Sequence, residues 1–265
     1  MRISPRPWLF FDAGNVLVSD DPSGCAVLRA LYQELVRTTP RGQQPETIDQ
    51  FMGRRTDFTL RGGNLWAFVA SHEHRLPGSD WREFQRQVRR AMYRPRVWSS
   101  LSPAIPGMAE VLRVLKKQGF RLALLANQPP AIEYVFRERG MWNLFDVHGV
   151  SDRLGMHKPS LDLFHWGLKE AGITPCQAVM VGDRIDNDIA PAKRLGMSTV
   201  WVGIPRERRG WLPSSDFGRA YLESVSHSSV SQWKPRSSVE EPDVCAGTPA
   251  ELLAVLQHFR PDHGD

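Results

Sequence analysis

The chain has 265 residues, 41% of them hydrophobic and 24% charged, the balance of an ordinary globular protein that can bury a core without disulfide staples. Its three cysteines, Cys25, Cys176 and Cys245, lie far apart with no metal-ligand spacing, which speaks against a zinc site and for thiols in a reducing compartment. The net charge is +5, but the cations are scattered in short clusters (Arg54-Arg55, Arg89-Arg90, residues 206–209) without interleaved aromatics, so no nucleic-acid partner is expected and the surplus suits an anionic, phosphorylated substrate.

Residues 8–11 read as a short buried strand that ends at Asp12, too brief for a signal-peptide core. No run approaches the roughly eighteen apolar residues of a membrane span, so no membrane association and a cytoplasmic location are expected. Residues 17–102 carry helical patterns only. Val27, Leu28, Leu31, Leu35 and Val36 form one apolar stripe, and Trp81, Phe84, Val88 and Met92 form another. From Pro103 onward strands and helices alternate. Continuous apolar runs at 120–126, 147–150, 178–182 and 198–203 read as parallel strands covered on both faces. Helices between them are marked by Val111 to Leu115, by Leu161, Phe164 and Leu168 with Ser160 as cap and Gly172 as stop, and by Ile189, Ala192 and Leu195. Residues 204–241 are serine-rich with little periodicity and read as a flexible insertion. A capping box, Thr248-Pro249-Ala250-Glu251, opens a last helix whose buried face is Leu252, Leu253, Val255, Leu256 and Phe259. The alternation predicts an α/β fold, a Rossmann-like doubly wound parallel sheet, with an all-helical cap domain inserted. The predicted division is a core of 1–16 and 103–265, with the 204–241 insertion inside it, and a cap of 17–102.

Four segments carry chemistry. Asp12 stands at the carboxyl end of the first strand, where α/β sheets bind ligands. Asn127 follows the strand at 120–126 in the same way. Lys158-Pro159-Ser160 places a lysine at the head of a helix, where an ammonium and free backbone N–H groups suit a phosphate. Val181-Gly182-Asp183 with Asp188 five positions on puts two acids at a strand end, and such carboxylates repel unless a cation sits among them. Magnesium suits that donor set.

In this order the segments resemble the haloacid dehalogenase superfamily, in the branch with a helical cap after the first strand. The resemblance runs from Trp8 to about Gly203 and from Pro242 to Phe259, and includes Ser151-Asp152, Gly155, Phe164 and Gly196-Met197. It implies a Mg²⁺-dependent phosphatase acting on a small phosphorylated metabolite, a phosphoric monoester or acyl phosphate. Asp12 would be the nucleophile that becomes an aspartyl phosphate. Asp12, the Gly14 carbonyl, Asp183 and Asp188 would hold the metal, while Asn127 and Lys158 would bind the phosphoryl group.

Three positions depart from the family pattern, two of them catalytic. The resemblance calls for a second aspartate where Gly14 stands; it would protonate the leaving oxygen, help worth about 10²–10⁴ in rate. A Thr or Ser is usual where Ala126 stands, and its hydrogen bond to a charged group would be worth roughly 1.5–3 kcal/mol. Asn15 replaces a glycine, but Asn tolerates a left-handed backbone. A surrogate acid is sought among Asp20, Asp21, His72, Glu73 and His74, and Trp66, Arg54 and Arg55 are candidate substrate contacts. The alternatives are a catalytically impaired relative that binds a phosphorylated ligand or a protein partner, and a carbon–halogen hydrolase, which needs neither magnesium nor an acid at position 14.

Overall fold

A computed structural model describes residues 6–61, 63–226, 235 and 237–258. Its centre is a six-stranded, wholly parallel sheet in the order β3-β2-β1-β4-β5-β6. The strands are β1 (Trp8–Phe11), β2 (Leu122–Ala126), β3 (Val147–Val150), β4 (Ala178–Gly182), β5 (Ser198–Val202) and β6 (Val244–Ala246). The first five match the apolar runs of the sequence. β6 was not anticipated; it is three residues long, pairs with β5 alone, and carries too short an apolar signal to stand out.

The period-2 geometry of the strands divides their side chains between two covered faces. Leu9, Phe11, Leu122, Leu124, Val179 and Val181 point into one apolar layer, and Phe10, Ala123, Leu125 and Met180 into the other. The second layer is closed by α9 (Leu161–Ala171) through Leu163, Phe164 and Leu168 and by α10 (Ala190–Arg194) through Ala192. Ser160 caps α9 by accepting from the Asp162 N–H, and Gly172 ends it in a left-handed conformation, as expected. The first layer is closed by α6 (Met108–Lys117), α7 (Ile132–Glu138) and the last helix α12 (Pro249–His258). The Thr248 hydroxyl accepts from the Glu251 N–H, and Leu252 and Leu256 are the fully buried residues of α12. Phe259 lies outside the described residues. A short helix, α8 (Ser151–Leu154), follows β3.

Between β1 and α6 the described residues form the helices α1 (Asp21–Arg37), α2 (Ile48–Leu60), α3 (Leu65–Ala70), α4 (Trp81–Met92) and α5 (Pro95–Ser100), with two single 3₁₀ turns and isolated bridges of Val18 to Gly14 and Ala104. Leu28, Leu31, Leu35, Phe51 and Phe68 bury the faces that meet. Residues 204–241 depart from their expected irregularity. Asp216–Ser226 is a helix, α11, whose Phe217, Tyr221 and Val225 recur every fourth residue and are buried against α1 and α2. Phe217 packs on Tyr32 and Phe51 at ring-centroid distances of 5.6 and 6.3 Å. The surrounding serines mask this stripe in the sequence. Residues 227–234 and 236 of that segment lie outside the described set. Among the described residues no helix is long and apolar enough to cross a membrane.

Candidate active site

The chain leaves β1 to build outward through β2 and β3, then returns to the other side of β1 with β4. The carboxyl ends of β1 and β4 therefore flank the crevice at which the sheet changes direction, the place where open α/β sheets bind ligands. Asp12 follows β1, and its N–H donates to the Val181 carbonyl at 2.9 Å, which locks it beside the end of β4. Asp183 follows β4. Asp188 is brought back by a single wide turn, Ile185–Ile189, in which the Ile189 N–H reaches the Arg184 carbonyl five residues earlier. Carboxylate oxygens of Asp12, Asp183 and Asp188 lie within 4.8 Å of one another.

Lys158 supplies the one ammonium described in this cluster. Its Nζ donates to Asp12 Oδ1 at 2.8 Å and to Asp188 Oδ1 at 2.6 Å, with the lysine side chain 1% exposed and that of Asp188 fully buried. Burial pulls this ammonium down, but Asp12 and Asp188 push harder, and its pKa ends above the ordinary lysine value. Asp188 is pushed up to about 6, by burial first, against the pull of Lys158. Asp183 is pushed up to about 8 by burial and by the negative charges of Asp12 and Asp188. Three acids therefore share one cation. The donor set is all oxygen, hard and anionic, and fits a divalent ion such as Mg²⁺ better than a softer metal. No described hydrogen bond ends on the Gly14 carbonyl, which leaves it free to join that set.

Two glycines make room for carboxylates. A Cβ on Gly182 would lie 2.3–2.5 Å from the side chain of Asp188, so only glycine lets the buried acid close on the strand end. A Cβ on Gly14 would lie 2.0 Å from Asp20 Oδ2 and 2.8 Å from Asp20 Cγ. The side chain absent at position 14 is thus replaced in space by the carboxyl of Asp20. The loop doubles back to achieve this. Asn15 adopts φ 53°, the left-handed region that Asn tolerates, its N–H donates to the Val18 carbonyl at 2.6 Å, and Gly14 bridges Val18. Asn15 then ties two acids together. Its Oδ1 accepts from the Asp20 N–H and its Nδ2 donates to Asp183 Oδ2, both at 3.2 Å. Gln128 Nε2 donates to the other Asp20 oxygen at 3.4 Å. Burial, aided by Asp12 and Asp21, pushes Asp20 up to about 7.

Asp12, Gly14, Asp183 and Lys158 line one cavity of about 720 Å³. Of the surrogate-acid candidates, Asp20 and Asp21 line it as well, but Asp21 pairs with Arg206. His72 is buried elsewhere, with Nε2 2.8 Å from the Arg54 guanidinium, and Arg54 itself pairs with Glu46. Arg55 and Trp66 line the cavity and Arg54 does not. Asn127 has a task the sequence did not suggest: its Nδ2 donates to the Lys158 carbonyl at 2.7 Å and its Oδ1 accepts from the Lys158 N–H at 2.9 Å. It clamps the lysine's backbone, which spends its carbonyl oxygen and one N–H. Trp201, also missed, donates from Nε1 to the Asp183 carbonyl at 2.7 Å.

The family model of haloacid dehalogenase-like hydrolases matches residues 8–196. A glyceraldehyde 3-phosphate phosphatase of Methanocaldococcus jannaschii is 38% identical over 98 residues, 37% of this chain and 43% of that one. The pyrimidine 5'-nucleotidase YjjG of Escherichia coli is 26% identical over 74% of this chain and 85% of its own length. The chain spans about half the length of the first curated relatives it matches, 43% and 56%. The HAD-hydrolase YfnB of Bacillus subtilis, crystallised with bound magnesium, superposes with a TM-score of 0.63 at 16% identity over 95% of this chain and 99% of that one, a likeness of fold. With the family model covering the sheet from β1 to the end of α10, this chain belongs to the haloacid dehalogenase-like hydrolase family.

Proposed function

We propose that the chain is a Mg²⁺-dependent phosphatase of small phosphorylated metabolites, with Asp12 as nucleophile. The convergence of Asp12, Asp183 and Asp188 on one point, with one ammonium among them, carries this reading. The phosphatase and nucleotidase names of its relatives agree with it. A carbon–halogen hydrolase also needs an aspartate nucleophile but no magnesium, so three acids around one cation favour phosphoryl transfer.

The residues divide the work. Asp12 keeps one oxygen on Lys158 and presents the other to phosphorus. As the Asp12 O–P bond forms, the bond to the leaving oxygen breaks and an aspartyl phosphate results. Asp20, protonated near neutrality, gives its proton to the leaving oxygen, the role that a side chain at position 14 would have had. Water then attacks the aspartyl phosphate, the Asp20 carboxylate takes its proton, and Asp12 is released with inorganic phosphate. Lys158 balances charge on the phosphoryl oxygens, and Asn127 positions Lys158. Mg²⁺ held by Asp12, Asp183, the Gly14 carbonyl and, directly or through water, Asp188 would supply further positive charge to those oxygens. Helices α1–α5 serve as the cap that encloses the substrate, and they supply Arg55 and Trp66 to the cavity wall. Asp20 in the space of the missing acid supports the catalytic reading over a non-catalytic relative, for which Ala126 still counts.

The test is hydrolysis of p-nitrophenyl phosphate, acyl phosphates, and sugar and nucleoside monophosphates with and without Mg²⁺. Turnover should require the metal, and Asp12→Asn should abolish it while the folded circular-dichroism spectrum stays. A variant that retains wild-type turnover would show the nucleophile to be elsewhere.

A further inference from the structure

The cavity that holds Asp12 has a second electrostatic feature that phosphoryl transfer leaves unused. Arg55 lies within α2, is only 6% exposed, and lines the cavity. Its Nε and Nη1 are buried and have no hydrogen-bond partner among the described residues. Its guanidinium lies over the Phe68 ring, with Cζ 5.6 Å from the centroid, and no carboxylate faces it among the described residues. No described ion pair includes it. Arg206 and Arg209 line the same cavity and share one carboxylate: Asp21 pairs with Arg206 and lies 3.9 Å from Arg209 Nη1. Arg206 Nε is likewise buried without a partner among the described residues. This wall therefore holds more guanidinium than carboxylate. A buried guanidinium with no counter-ion costs stability, and an oxyanion that accepts from it recovers that loss. A guanidinium also offers paired donors that suit a carboxylate or a phosphate.

We propose that Arg55, helped by Arg206, binds a second oxyanion on the substrate, a carboxylate or a second phosphate, on the part of the molecule that Asp12 does not attack. The favoured substrates are then phosphate esters with an anionic tail. The proposal rests on the phosphatase reading of this cavity. A neutral tail leaves the Arg55 donors unpaired, so discrimination against it is on the order of 10–100-fold.

Two matched pairs of compounds test this: 3-phosphoglycerate against glycerol 3-phosphate, and propane-1,3-diol bisphosphate against its monophosphate. Each pair is measured twice, as kcat/KM with the wild-type holoenzyme and as calorimetric binding to Asp12→Asn, which reports the subsite without turnover. The anionic member of at least one pair should win by 10–100-fold, and the pair that wins identifies the tail. Arg55→Met should bring that ratio close to one. The ligand-free melting temperature of Arg55→Met should equal or exceed the wild type, because an unpaired buried charge has been removed. Ratios near one for both pairs in wild-type turnover and binding overturn the subsite. So does an Arg55→Met protein that melts lower and keeps the wild-type ratio, since that is a structural arginine. p-Nitrophenyl phosphate separates the two readings. Asp12-dependent hydrolysis of it with no preference within the pairs leaves the phosphatase and removes the subsite. Arg55-dependent binding of the anionic tail with no ester hydrolysed leaves the subsite and removes the phosphatase.

Discussion

If Asp20 occupies the space of a side chain at position 14, the two positions must be energetically coupled. Gly14→Asp places a Cβ 2.0 Å from Asp20 Oδ2, where ordinary contacts are roughly 3.5–4.0 Å, so the new side chain must evict the old one. Overpacking of this kind costs about 1–3 kcal/mol, and two carboxylates in one space add repulsion. For a chain of this length that lowers the melting temperature by several degrees. Asp20→Ala opens the space and removes the proton donor. It should slow alkyl phosphates by about 10²–10⁴ while aryl and acyl phosphates, whose leaving oxygens barely need a proton, change little. The double variant Gly14→Asp/Asp20→Ala should recover the stability lost by Gly14→Asp alone and part of the alkyl-phosphate rate lost by Asp20→Ala. The assay is a thermodynamic cycle: denaturant unfolding and a leaving-group series for the four proteins, with a coupling of about 0.5–3 kcal/mol expected. Additive stabilities, with Gly14→Asp as stable as wild type, would refute the shared space. An unchanged leaving-group dependence in Asp20→Ala would refute the proton donor.

The raised pKa values bear on metal binding. Asp183 is raised from 3.8 to about 8, so without metal the fold favours its protonated form; that stability is complete below the unfolded pKa and is lost as pH rises toward 8. Metal-free wild type should therefore lose stability relative to Asp183→Asn between pH 6 and 8, and the rise in melting temperature on adding Mg²⁺ should grow over the same window. A magnesium shift that is flat with pH, or one that survives in Asp183→Ala, would contradict the site. In α11, Phe217→Ala should destabilise the protein by about 3 kcal/mol, because its ring is buried against Tyr32 and Phe51; a change below about 0.5 kcal/mol by denaturant unfolding would show that the helix does not pack as described.

The cluster of Asp12, Lys158, Asp183 and Asp188 was legible in the sequence because Asp12 and Asp183 directly follow apolar strands, Asp188 stands five positions beyond Asp183, and Lys158 heads the helix that starts at Leu161. Asp20 was visible only as one acid among several. Its place depends on a loop that reverses through Asn15 and brings position 20 over position 14, a tertiary relation with no periodic signature. The resemblance implied a phosphate ligand at Asn127, but whether its amide faces solvent or clamps the Lys158 backbone depends on where a residue 31 positions away folds back. The helix at 216–226 was hidden for a compositional reason: serine and glycine dilute the spacing of Phe217, Tyr221 and Val225, and packing against α1 and α2 supplies what propensity does not. Arg55 was one of two adjacent arginines with equal claims, and only the helix phase separates the one that faces the cavity from the one that pairs with Glu46.

The most direct test of the central claim is to trap the phosphoryl group on the protein. The holoenzyme with Mg²⁺ is mixed with excess acetyl phosphate or p-nitrophenyl phosphate, quenched in acid, reduced with borohydride and mapped by mass spectrometry. Reduction of an aspartyl phosphate converts that aspartate to homoserine, and the modification should appear at Asp12 alone, in a Mg²⁺-dependent manner. Modification at another residue, or none while the substrate is being turned over, would contradict Asp12 as the nucleophile.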